Sequence, residues 1–592
     1  MENNYKRTDY CGLLRTQDIG KEVTVCGWVQ RMRNLGGLIF IDLRDRFGII
    51  QCTFDETVHS KELFDAAFAV RSEYVLSISG KVRKRGGAVN EKIETGDIEI
   101  DVSSLTVLSK AQTTPFEIVE NSEANEALRL KYRYLDLRRP EMQKTIALRH
   151  KVTSVTRNFF DQNRFLEIET PILTKSTPEG ARDYLVPSRV QPGKFFALPQ
   201  SPQQYKQLLM VAGFDRYMQI VRCFRDEDLR AHRQPEFTQI DLEMSFVDVE
   251  DVIAINEAFL KTLFKQILDV DVQTPLPRLT YEQAMTRFGS DKPDLRFGFE
   301  LCDISELLKN CEFKVFSGAI SGGGSVRLIN VDGYANKFTR KDIDALTEYV
   351  KTYKAKGLAW LKMQDGETSS SFAKFLTPEE TASILKAANA KDGDLILVVA
   401  DTDNDIVMTA LGELRCEVAK RLDILKSDDY KLAWVTEFPL FEYDPEEGRL
   451  FAKHHPFTSP MDSDVELLKT SPEKARAKAY DVVINGVEAG GGSVRIFNPE
   501  LQETMFAALG FTKEQATEQF GHLIEAFSYG APPHAGFAYG LDRLIMLLSG
   551  RESIRDVIAF PKVQTSSELM MQSPSEVDLK QLDLLNIQLK NN

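Results

Sequence analysis

Several common signatures are missing from this chain of 592 residues. Its seven cysteines are scattered without a CxxC pair, which argues against a zinc site and indicates reduced thiols in a cytoplasmic protein. No run of about 18 apolar residues occurs and the polar start has no apolar core, so neither a membrane span nor a secretory signal is predicted. A GxxxxGKS/T loop and a nucleophile elbow with triad partners are also missing, which excludes two common catalytic schemes.

Charge is unevenly distributed along the chain. The formal net charge of −14 argues against a nucleic-acid partner for the protein as a whole. Residues 1–110, however, hold sixteen Lys/Arg and sixteen Asp/Glu, so the acidic excess lies downstream. The first part of the chain is therefore the predicted docking region for a polyanion.

The first part of the chain alternates β-rich runs with glycine-containing turns. Five such runs predict strands, at 23–29, 38–45, 49–54, 74–82 and 98–108. Five strands in about 90 residues are typical of a small OB-fold barrel. Basic clusters at 31–33, near Phe40, and at 81–85 suit a groove for single-stranded nucleic acid; a solvated basic turn beside a core phenylalanine is the alternative.

The pattern then changes several times. Apolar residues at helical spacing predict a helix over 145–160, and LEIETPIL, 166–173, predicts a strand that Pro171 confines to an edge or interface. Residues 296–425 carry their own strands and helices and predict an inserted module. The predicted segments are a barrel (1–108), a hinge (109–130), two catalytic segments (131–295 and 426–562) around the insert (296–425), and a polar C-terminal extension (563–592).

The densest concentration of charge lies in FRDEDLRAHRQPEF, residues 224–237. It mixes carboxylates with arginine, the side chain best shaped for two-pronged contacts with phosphate. The run FTQIDLE predicts a strand that pairs antiparallel with 217–224 and carries Gln239, Asp241 and Glu243 on one face. These features predict a pocket wall beneath an arginine-bearing loop, in an enzyme that handles a nucleoside triphosphate.

A hairpin is predicted where Asn-Gly, 485–486, separates two apolar runs. A two-residue turn pairs Val483 with Glu488 and Asp481 with Gly490, so the two acids share a face about 7–8 Å apart. Carboxylates at this separation can bridge a hard cation such as Mg²⁺ bound to a triphosphate, while two exposed acids are the alternative.

Three further segments carry candidate site residues. GFAYGLDRLIMLL opens an apolar helix whose only charges are Asp542 and Arg543, so Arg543 needs a phosphate, an adenine face or Asp542 as its partner. QSPQQYKQLLM, 200–210, places Gln203 and Lys206 on one helix face. KHHPFTSP holds adjacent histidines without a third ligand nearby, which favours polar substrate contacts over zinc.

In this order the motifs resemble those of the bacterial-type aspartyl-tRNA synthetases. LEIETPIL, FRDEDLRAHRQPEF and GFAYGLDRL match the class II motifs, and QSPQQYK and GGGSVR match the aspartate branch. The resemblance implies an α/β multidomain protein with an anticodon-binding OB-fold barrel, an antiparallel catalytic sheet flanked by helices, and an inserted GAD-like α+β domain. It also implies a homodimer, with Pro171 at its interface.

The resemblance further implies a reaction. ATP and L-aspartate would form aspartyl-adenylate and pyrophosphate with the help of Mg²⁺, and aspartate would then pass to the 3′ end of tRNA(Asp). Whether tRNA(Asn) is a second acceptor stays open at this level; Leu35 leans toward the strict form, where a histidine often marks the relaxed one.

Roles follow from the resemblance position by position. The implied catalytic residues are Arg225 and Arg543. The implied ATP-binding residues are Arg225, Asp226, Glu227, Gln234, Glu488, Gly540, Leu541, Asp542 and Arg543. The implied aspartate-binding residues are Glu179, Gln203, Lys206, Arg225, Asp241, His454 and Arg495. The implied metal ligands are Asp481 and Glu488. The implied anticodon contacts are Arg33, Leu35, Phe40, Gln51 and Glu99.

Three alternatives remain. An asparaginyl or lysyl enzyme shares the architecture, although a lysine pocket should offer carboxylates where Lys206 and Arg495 stand. A non-catalytic RNA-binding relative would be expected to lack Arg225, Arg543 or the two metal acids. An amidotransferase subunit would account for 296–425 but not for the class II motifs.

Overall fold

A computed structural model describes residues 5–176, 181–228, 233–445 and 447–590 of the chain. It divides into two compact units, Met1–His150 with Arg555–Glu576, and Lys151–Ile554 with Val577–Asn592. Within the described ranges, every helix is too short or too polar to cross a bilayer. The domain boundaries predicted from the sequence stay predictions.

A closed five-stranded barrel occupies the first unit. Its elements are β1 (Glu22–Asn34), β2 (Leu38–Asp45), β3 (Gly48–Asp55), α1 (Lys61–Phe68), β4 (Val75–Lys84) and β5 (Ile98–Ser109). The strands follow the order β1-β2-β3-β5-β4 around the barrel. Alternate residues such as Val25, Ile41 and Ile50 point inward and are fully buried. The five predicted strands and the barrel are confirmed.

Three helices follow the barrel: α2 (Glu126–Lys131), α3 (Arg133–Asp136) and α4 (Pro140–Gln162). The helix predicted over 145–160 is therefore longer than expected. It begins at Pro140, a residue favoured in the first helical turn because its missing N–H would have no partner there.

The second unit begins with the first half of a large sheet. Its elements are β6 (Leu166–Glu167), β7 (Leu185–Pro187), β8 (Phe195–Ala197), α5 (Gln203–Val211), β9 (Arg216–Phe224), β10 (Glu236–Ser245), α6 (Val249–Leu268), β11 (Arg278–Thr280) and α7 (Tyr281–Phe288). The strand predicted over 166–173 is wrong in length, since it ends at Glu167. Its predicted place at a sheet edge is confirmed, because β6 pairs within the sheet only with β9.

A smaller α+β module follows. Its elements are β12 (Leu301–Asp303), α8 (Lys314–Ser321), β13 (Ser325–Val331), α9 (Arg340–Lys351), β14 (Ala359–Gln364), β15 (Glu367–Ser370), α10 (Pro378–Ala387), β16 (Leu395–Asp401) and α11 (Asn404–Arg421). Its five strands form one antiparallel sheet of order β12-β13-β16-β14-β15. A capping box opens α10, with Thr377 as the N-cap and Glu380 as its second member.

The remaining elements complete the large sheet. They are β17 (Leu432–Thr436), β18 (Phe441–Asp444), β19 (Arg449–Ala452), α12 (Leu467–Thr470), β20 (Ala479–Ile484), β21 (Val487–Val494), α13 (Pro499–Ala508), α14 (Lys513–Ser528), β22 (His534–Gly540), α15 (Leu541–Ser549) and α16 (Leu579–Leu584). The eight strands follow the order β11-β17-β20-β21-β22-β10-β9-β6. All neighbours are antiparallel except the parallel pairs at the two ends, β11 with β17 and β6 with β9.

Helices α7 and α11 touch through two glycines. A Cβ added at Gly412 of α11 would lie 2.4 Å from the carbonyl oxygen of Gly289, which follows α7 in a left-handed conformation. Close by, Arg415 Nη2 donates to the carbonyls of Asp294 and Gly298 at 3.0 and 2.8 Å. Backbone contact at the glycines therefore sets how closely the two helices pack.

We predict that Gly412→Ala destabilises α11 by about 2 kcal/mol, because overpacking at a backbone contact outweighs the roughly 1 kcal/mol gain in helix propensity. Hydrogen exchange of the α11 amides measures this local stability. Gly318→Ala in α8 is the matched control, because an added Cβ there meets nothing within 4 Å. Unchanged exchange in the Gly412 variant would contradict the packing account.

Candidate functional site

A buried lysine stands between two carboxylates at the centre of the large sheet. Lys206 Nζ of α5 lies 2.8 Å from Asp241 Oδ1 and 3.2 Å from Glu243 Oε2, both on β10. All three side chains are at most 3% exposed. The predicted alternation of β10 brings both carboxylates to the same side of the sheet, and the helix face predicted for Lys206 meets them.

Arg495, just after β21, completes the cluster. Its Nε and Nη2 donate to the two oxygens of Glu243 at 2.9 and 3.1 Å, a bidentate pair. Its Nη1 donates to Ser493 Oγ at 2.7 Å and lies 2.6 Å from His455 Nε2. A Cβ on Gly536 would lie 1.8 Å from Glu243 Oε2, so β22 must have glycine opposite this pair.

The two carboxylates differ in electrostatic environment. Burial raises the pKa of Asp241 to about 6, although Lys206 opposes the shift. Burial acts on Glu243 in the same direction, but Arg495 and Lys206 outweigh it and hold the pKa of that carboxyl at about 2. Glu243 thus stays ionised, and with Asp241 ionised the four groups balance. The cluster thus holds two fixed cations, Lys206 and Arg495, in one place.

Two histidines line the same region. Burial, helped by Lys453 and Arg495, lowers the pKa of His454 to about 4. Burial and Arg495 lower the pKa of His455 well below its usual value. Both imidazoles are therefore neutral near pH 7. Within the described residues, His454 Nδ1 is buried without a hydrogen-bond partner.

The predicted acidic hairpin has the expected turn but a different register. Val483 pairs with Glu488 as predicted, but a bulge then places Asp481 opposite Gly491, so the predicted pairing with Gly490 is wrong. The extra residue is accommodated where glycines leave room: a Cβ on Gly491 would lie 2.1 Å from Asp481 Oδ1.

The two acids of this hairpin interact with each other, and Glu488 also contacts Arg543. Burial, followed by the nearby charge of Glu488, raises the pKa of Asp481 well above its usual range. Arg543 Nη1 donates to the Glu488 carbonyl oxygen at 3.1 Å and lies 3.5 Å from Glu488 Oε2. No group of three or more candidate metal-ligating side chains occurs within the described ranges, so a cation here would need ligand oxygens as well.

Apart from Glu488 of the hairpin, the predicted ATP-binding residues fall in two groups. The first follows β9: Arg225, Asp226, Glu227 and Gln234. The Arg225 guanidinium lies 5.1 Å from the ring centre of Phe237, and its Nε is buried without a partner among the described residues. Glu227 accepts a 2.7 Å bond from Arg233.

The second group lies where β22 passes into α15: Gly540, Leu541, Asp542 and Arg543. Asp542 Oδ2 accepts from the Thr238 backbone N–H at 2.9 Å, which ties α15 to β10. Gly540 is opposite Gln239 in the pairing of β22 with β10. The predicted residue Glu179 lies outside the described residues.

The predicted anticodon residues cluster on one side of the barrel. Gln51 is central: its Oε1 accepts from Arg33 at 3.0 Å and its Nε2 donates to Glu99 at 2.8 Å. The Arg33 guanidinium lies 5.6 Å from the ring centre of Phe40. Leu35 is 66% exposed in the turn between β1 and β2.

Several members of these clusters were given no individual role by the sequence argument. They are Asp42, Arg83, Arg85, Gln207, Glu243, Ser493 and His534. For Glu243 the strand alternation carried a signal, since it shares a face with Asp241. For His534 no local pattern existed, because its partner Gln207 is 327 positions away.

Two family models match the chain. The model for class II tRNA synthetases (D, K and N) matches residues 125–564, and the OB-fold nucleic acid binding domain matches residues 23–108. Among solved structures, the Pyrococcus horikoshii asparaginyl-tRNA synthetase complexed with asparaginyl-adenylate has a TM-score of 0.59 at 18% identity, covering 94% of this chain and 98% of that one. The fold and the matched models define a class II aminoacyl-tRNA synthetase, an ATP-dependent ligase.

Curated relatives narrow this class. The aspartate–tRNA ligase of Ruminiclostridium cellulolyticum is 61% identical over 584 residues, 98% of each chain. The aspartate–tRNA(Asp/Asn) ligase of Caldanaerobacter subterraneus subsp. tengcongensis is 58% identical, over 99% of this chain and 98% of its own. The chain belongs to the aspartate–tRNA ligase family.

We predict that Glu243→Gln lowers kcat/KM for the amino acid by roughly 200- to 5,000-fold in ATP–pyrophosphate exchange, because breaking a buried ion pair costs about 3–5 kcal/mol. The KM for ATP should stay near the wild-type value. Glu236→Gln is the matched control, because Glu236 lies on the same strand and pairs with Arg222 near solvent. Wild-type kinetics in the Glu243→Gln variant would show that this carboxylate plays no part in binding the amino acid.

Proposed function

We propose that this site activates L-aspartate with ATP and that the enzyme then transfers aspartate to tRNA(Asp). The observation that carries the proposal is the pair of buried cations, Lys206 and Arg495, which Glu243 holds together. The names of the two relatives, both aspartate–tRNA ligases, support the same substrate.

In this proposal the substrate is held at both ends. Lys206 and Arg495 bind the side-chain carboxylate, and Asp241 orients Lys206 through its 2.8 Å contact. Gln203 receives the substrate ammonium together with Glu179, while His454 approaches the substrate through its unpartnered Nδ1. Fixed groups at both ends set the reacting carboxylate in position for attack on ATP.

ATP would lie between the loop after β9 and the start of α15. Arg225 binds the α-phosphate and stabilises the charge that develops during in-line attack by the substrate carboxylate, while Arg543 lies against the adenine and γ-phosphate. The remaining proposed contacts line the same two segments: Asp226, Glu227, Gln234, Glu488, Gly540, Leu541 and Asp542.

Asp481 and Glu488 fit a Mg²⁺ ion. Burial and, after it, the nearby charge of Glu488 raise the pKa of Asp481, and a bound cation would oppose both effects. The two carboxylates would hold the ion together with oxygen atoms of the triphosphate and water. When bound, Mg²⁺ would neutralise triphosphate charge while the two carboxylates and Arg543 orient the nucleotide.

Charge accounts for the choice of amino acid. Asparagine is similar to aspartate in size but offers a neutral amide to Lys206 and Arg495. Loss of one ion pair at about 4 Å and an effective dielectric constant near 20 is worth roughly 4 kcal/mol, or about a thousandfold in kcat/KM. A lysine side chain would add a third cation and is excluded by repulsion.

We predict that ATP–pyrophosphate exchange occurs with aspartate and is about a thousandfold weaker with asparagine and lysine. Arg495→Leu should abolish exchange with aspartate while ATP still binds, because the lost guanidinium lies away from the nucleotide. Arg278→Leu serves as a control, since Arg278 forms an exposed pair with Glu250. Wild-type-like exchange in Arg495→Leu, or equal use of asparagine, would refute the assignment.

We propose that the barrel binds the tRNA anticodon. Phe40 offers a ring for base stacking, and Arg33, Gln51 and Glu99 offer a connected set of donors and acceptors beside it. Arg33 Nε and Arg85 Nη1 are buried and have no hydrogen-bond partner within the described ranges.

We predict that charging of purified tRNA(Asn) is at least ~tenfold less efficient than charging of tRNA(Asp), a difference of about 1.4 kcal/mol. The reason is Leu35, whose exposed apolar side chain offers no hydrogen bond to an anticodon base. Leu35→His should narrow the gap, and Val58→His, at another exposed apolar position of the barrel unit, should not. Equal charging of both tRNAs by the unmodified enzyme would assign it to the relaxed type.

The proposed assembly is a cytoplasmic homodimer. Exposed Leu166, Ile172 and Leu173 lie on and just beyond the edge strand β6, where a second copy could cover them. All seven cysteines are free, which supports a reducing compartment.

A further inference from the structure

A buried hydrogen-bond chain runs from Gln203 through Gln207, both on α5, to His534 at the start of β22. Gln203 Nε2 donates to Gln207 Oε1 at 3.0 Å, and Gln207 Nε2 lies 3.1 Å from His534 Nε2. At the far end, His534 Nδ1 lies 2.8 Å from the carbonyl oxygen of Pro532. Gln207 and His534 are fully buried and Gln203 is 6% exposed, so water does not compete for these bonds.

The chemistry of its fixed end sets the direction of every bond in this chain. A carbonyl oxygen can only accept, so the proton of a neutral His534 must sit on Nδ1 and leave Nε2 as an acceptor. The Gln207 amide must then turn its NH₂ toward His534 and its oxygen toward Gln203. The Gln203 amide must in turn point its NH₂ toward the oxygen of Gln207.

One atom is left over by this ordering. The carbonyl oxygen of Gln203 makes no hydrogen bond to the residues that the structure describes. It is also not fully buried. It is therefore an acceptor that a ligand can reach. Without the chain, the nearly symmetric carboxamide could equally present its NH₂, which would repel a cationic group.

The surroundings keep His534 neutral. Burial lowers its pKa, and although Glu243 and the bond to Pro532 oppose the shift, Arg495 and Lys206 add to it. The ring of Phe527 lies 6.1 Å away and contributes no charge. Because the imidazole stays neutral near pH 7, the acceptor on Nε2 persists.

We propose that Gln207 and His534 are positioning residues that lock the Gln203 carboxamide with its oxygen toward the ammonium group of the amino-acid substrate. The proposal rests on the proposed function, in which Gln203 lies near that ammonium. It adds a specific consequence: the amino group is recognised through an orientation that is fixed from the protein interior.

The test compares L-aspartate with succinate, which keeps both carboxylates but lacks the ammonium group. The KM for aspartate and the inhibition constant for succinate are measured in ATP–pyrophosphate exchange with the full chain. Gln207→Met should raise the KM for aspartate ~tenfold, because a bond to a charged group is lost only with aspartate. The inhibition constant for succinate should change less than about twofold. The change in the ratio of the two constants is the readout.

Two further variants separate this role from general packing. His534→Asn can keep the bond to Pro532 but cannot reach Gln207, so it should shift the ratio as Gln207→Met does. Gln204→Met is the matched control: it changes the neighbouring buried glutamine on α5, which takes no part in the chain, and it should leave the ratio unchanged.

Each outcome decides between distinct possibilities. An equal rise in the KM for aspartate and the inhibition constant for succinate, in both Gln207→Met and His534→Asn, would overturn the proposal. It would assign the two residues to packing. A shifted ratio in Gln203→Met but not in those two variants would also overturn it, while leaving Gln203 as the ammonium contact. No shift in Gln203→Met would instead refute the proposed role of Gln203 itself.

Discussion

The contact of Glu243 with both Lys206 and Arg495 is the interaction on which the proposed amino-acid site depends. Each cation has lost its hydration, and neither would remain charged and ordered in this position without a carboxylate within about 3 Å. The three groups come from α5, β10 and the end of β21, so their meeting requires the central sheet to be correctly formed. Gly536 is part of the same requirement, since any side chain there would occupy the position of the Glu243–Arg495 pair.

This arrangement explains how one sheet can serve two ligands of opposite character. In the proposed function, strand β10 carries the carboxylates that hold the cations for an amino acid, and the loop before it carries Arg225 for a nucleotide. On the neighbouring strands, the bulged hairpin of β20 and β21 carries Asp481 and Glu488, and Glu488 contacts Arg543. Rigid strands thus present both sets of groups, so little rearrangement is needed when charge develops during catalysis.

Local patterns predicted much of this from the sequence. The barrel strands followed from alternation and glycine turns, and the face shared by Asp241 and Glu243 followed from the period of a strand. The bulge at Val482 and Val483 could not be predicted, because it depends on glycines of β21 that fit against the next strand. Resemblance to a family supplied the individual roles of Arg225 and Arg543, which charge patterning alone left general.

Long-range polar contacts were the part that sequence patterns could not reach. His534 meets Gln207 only after the chain has passed through the inserted module, and no periodicity links them. The strand period placed Glu243 on the correct face but gave it no role, because its partners, Lys206 and Arg495, come from other elements.

The most direct measurement is a crystal structure of the enzyme with a non-hydrolysable analogue of aspartyl-adenylate. The account predicts that the side-chain carboxylate of the analogue lies within about 3 Å of both Lys206 Nζ and Arg495 Nη2, with Glu243 still bonded to both cations. A carboxylate bound elsewhere, with the Lys206–Glu243–Arg495 cluster closed and untouched, would contradict it.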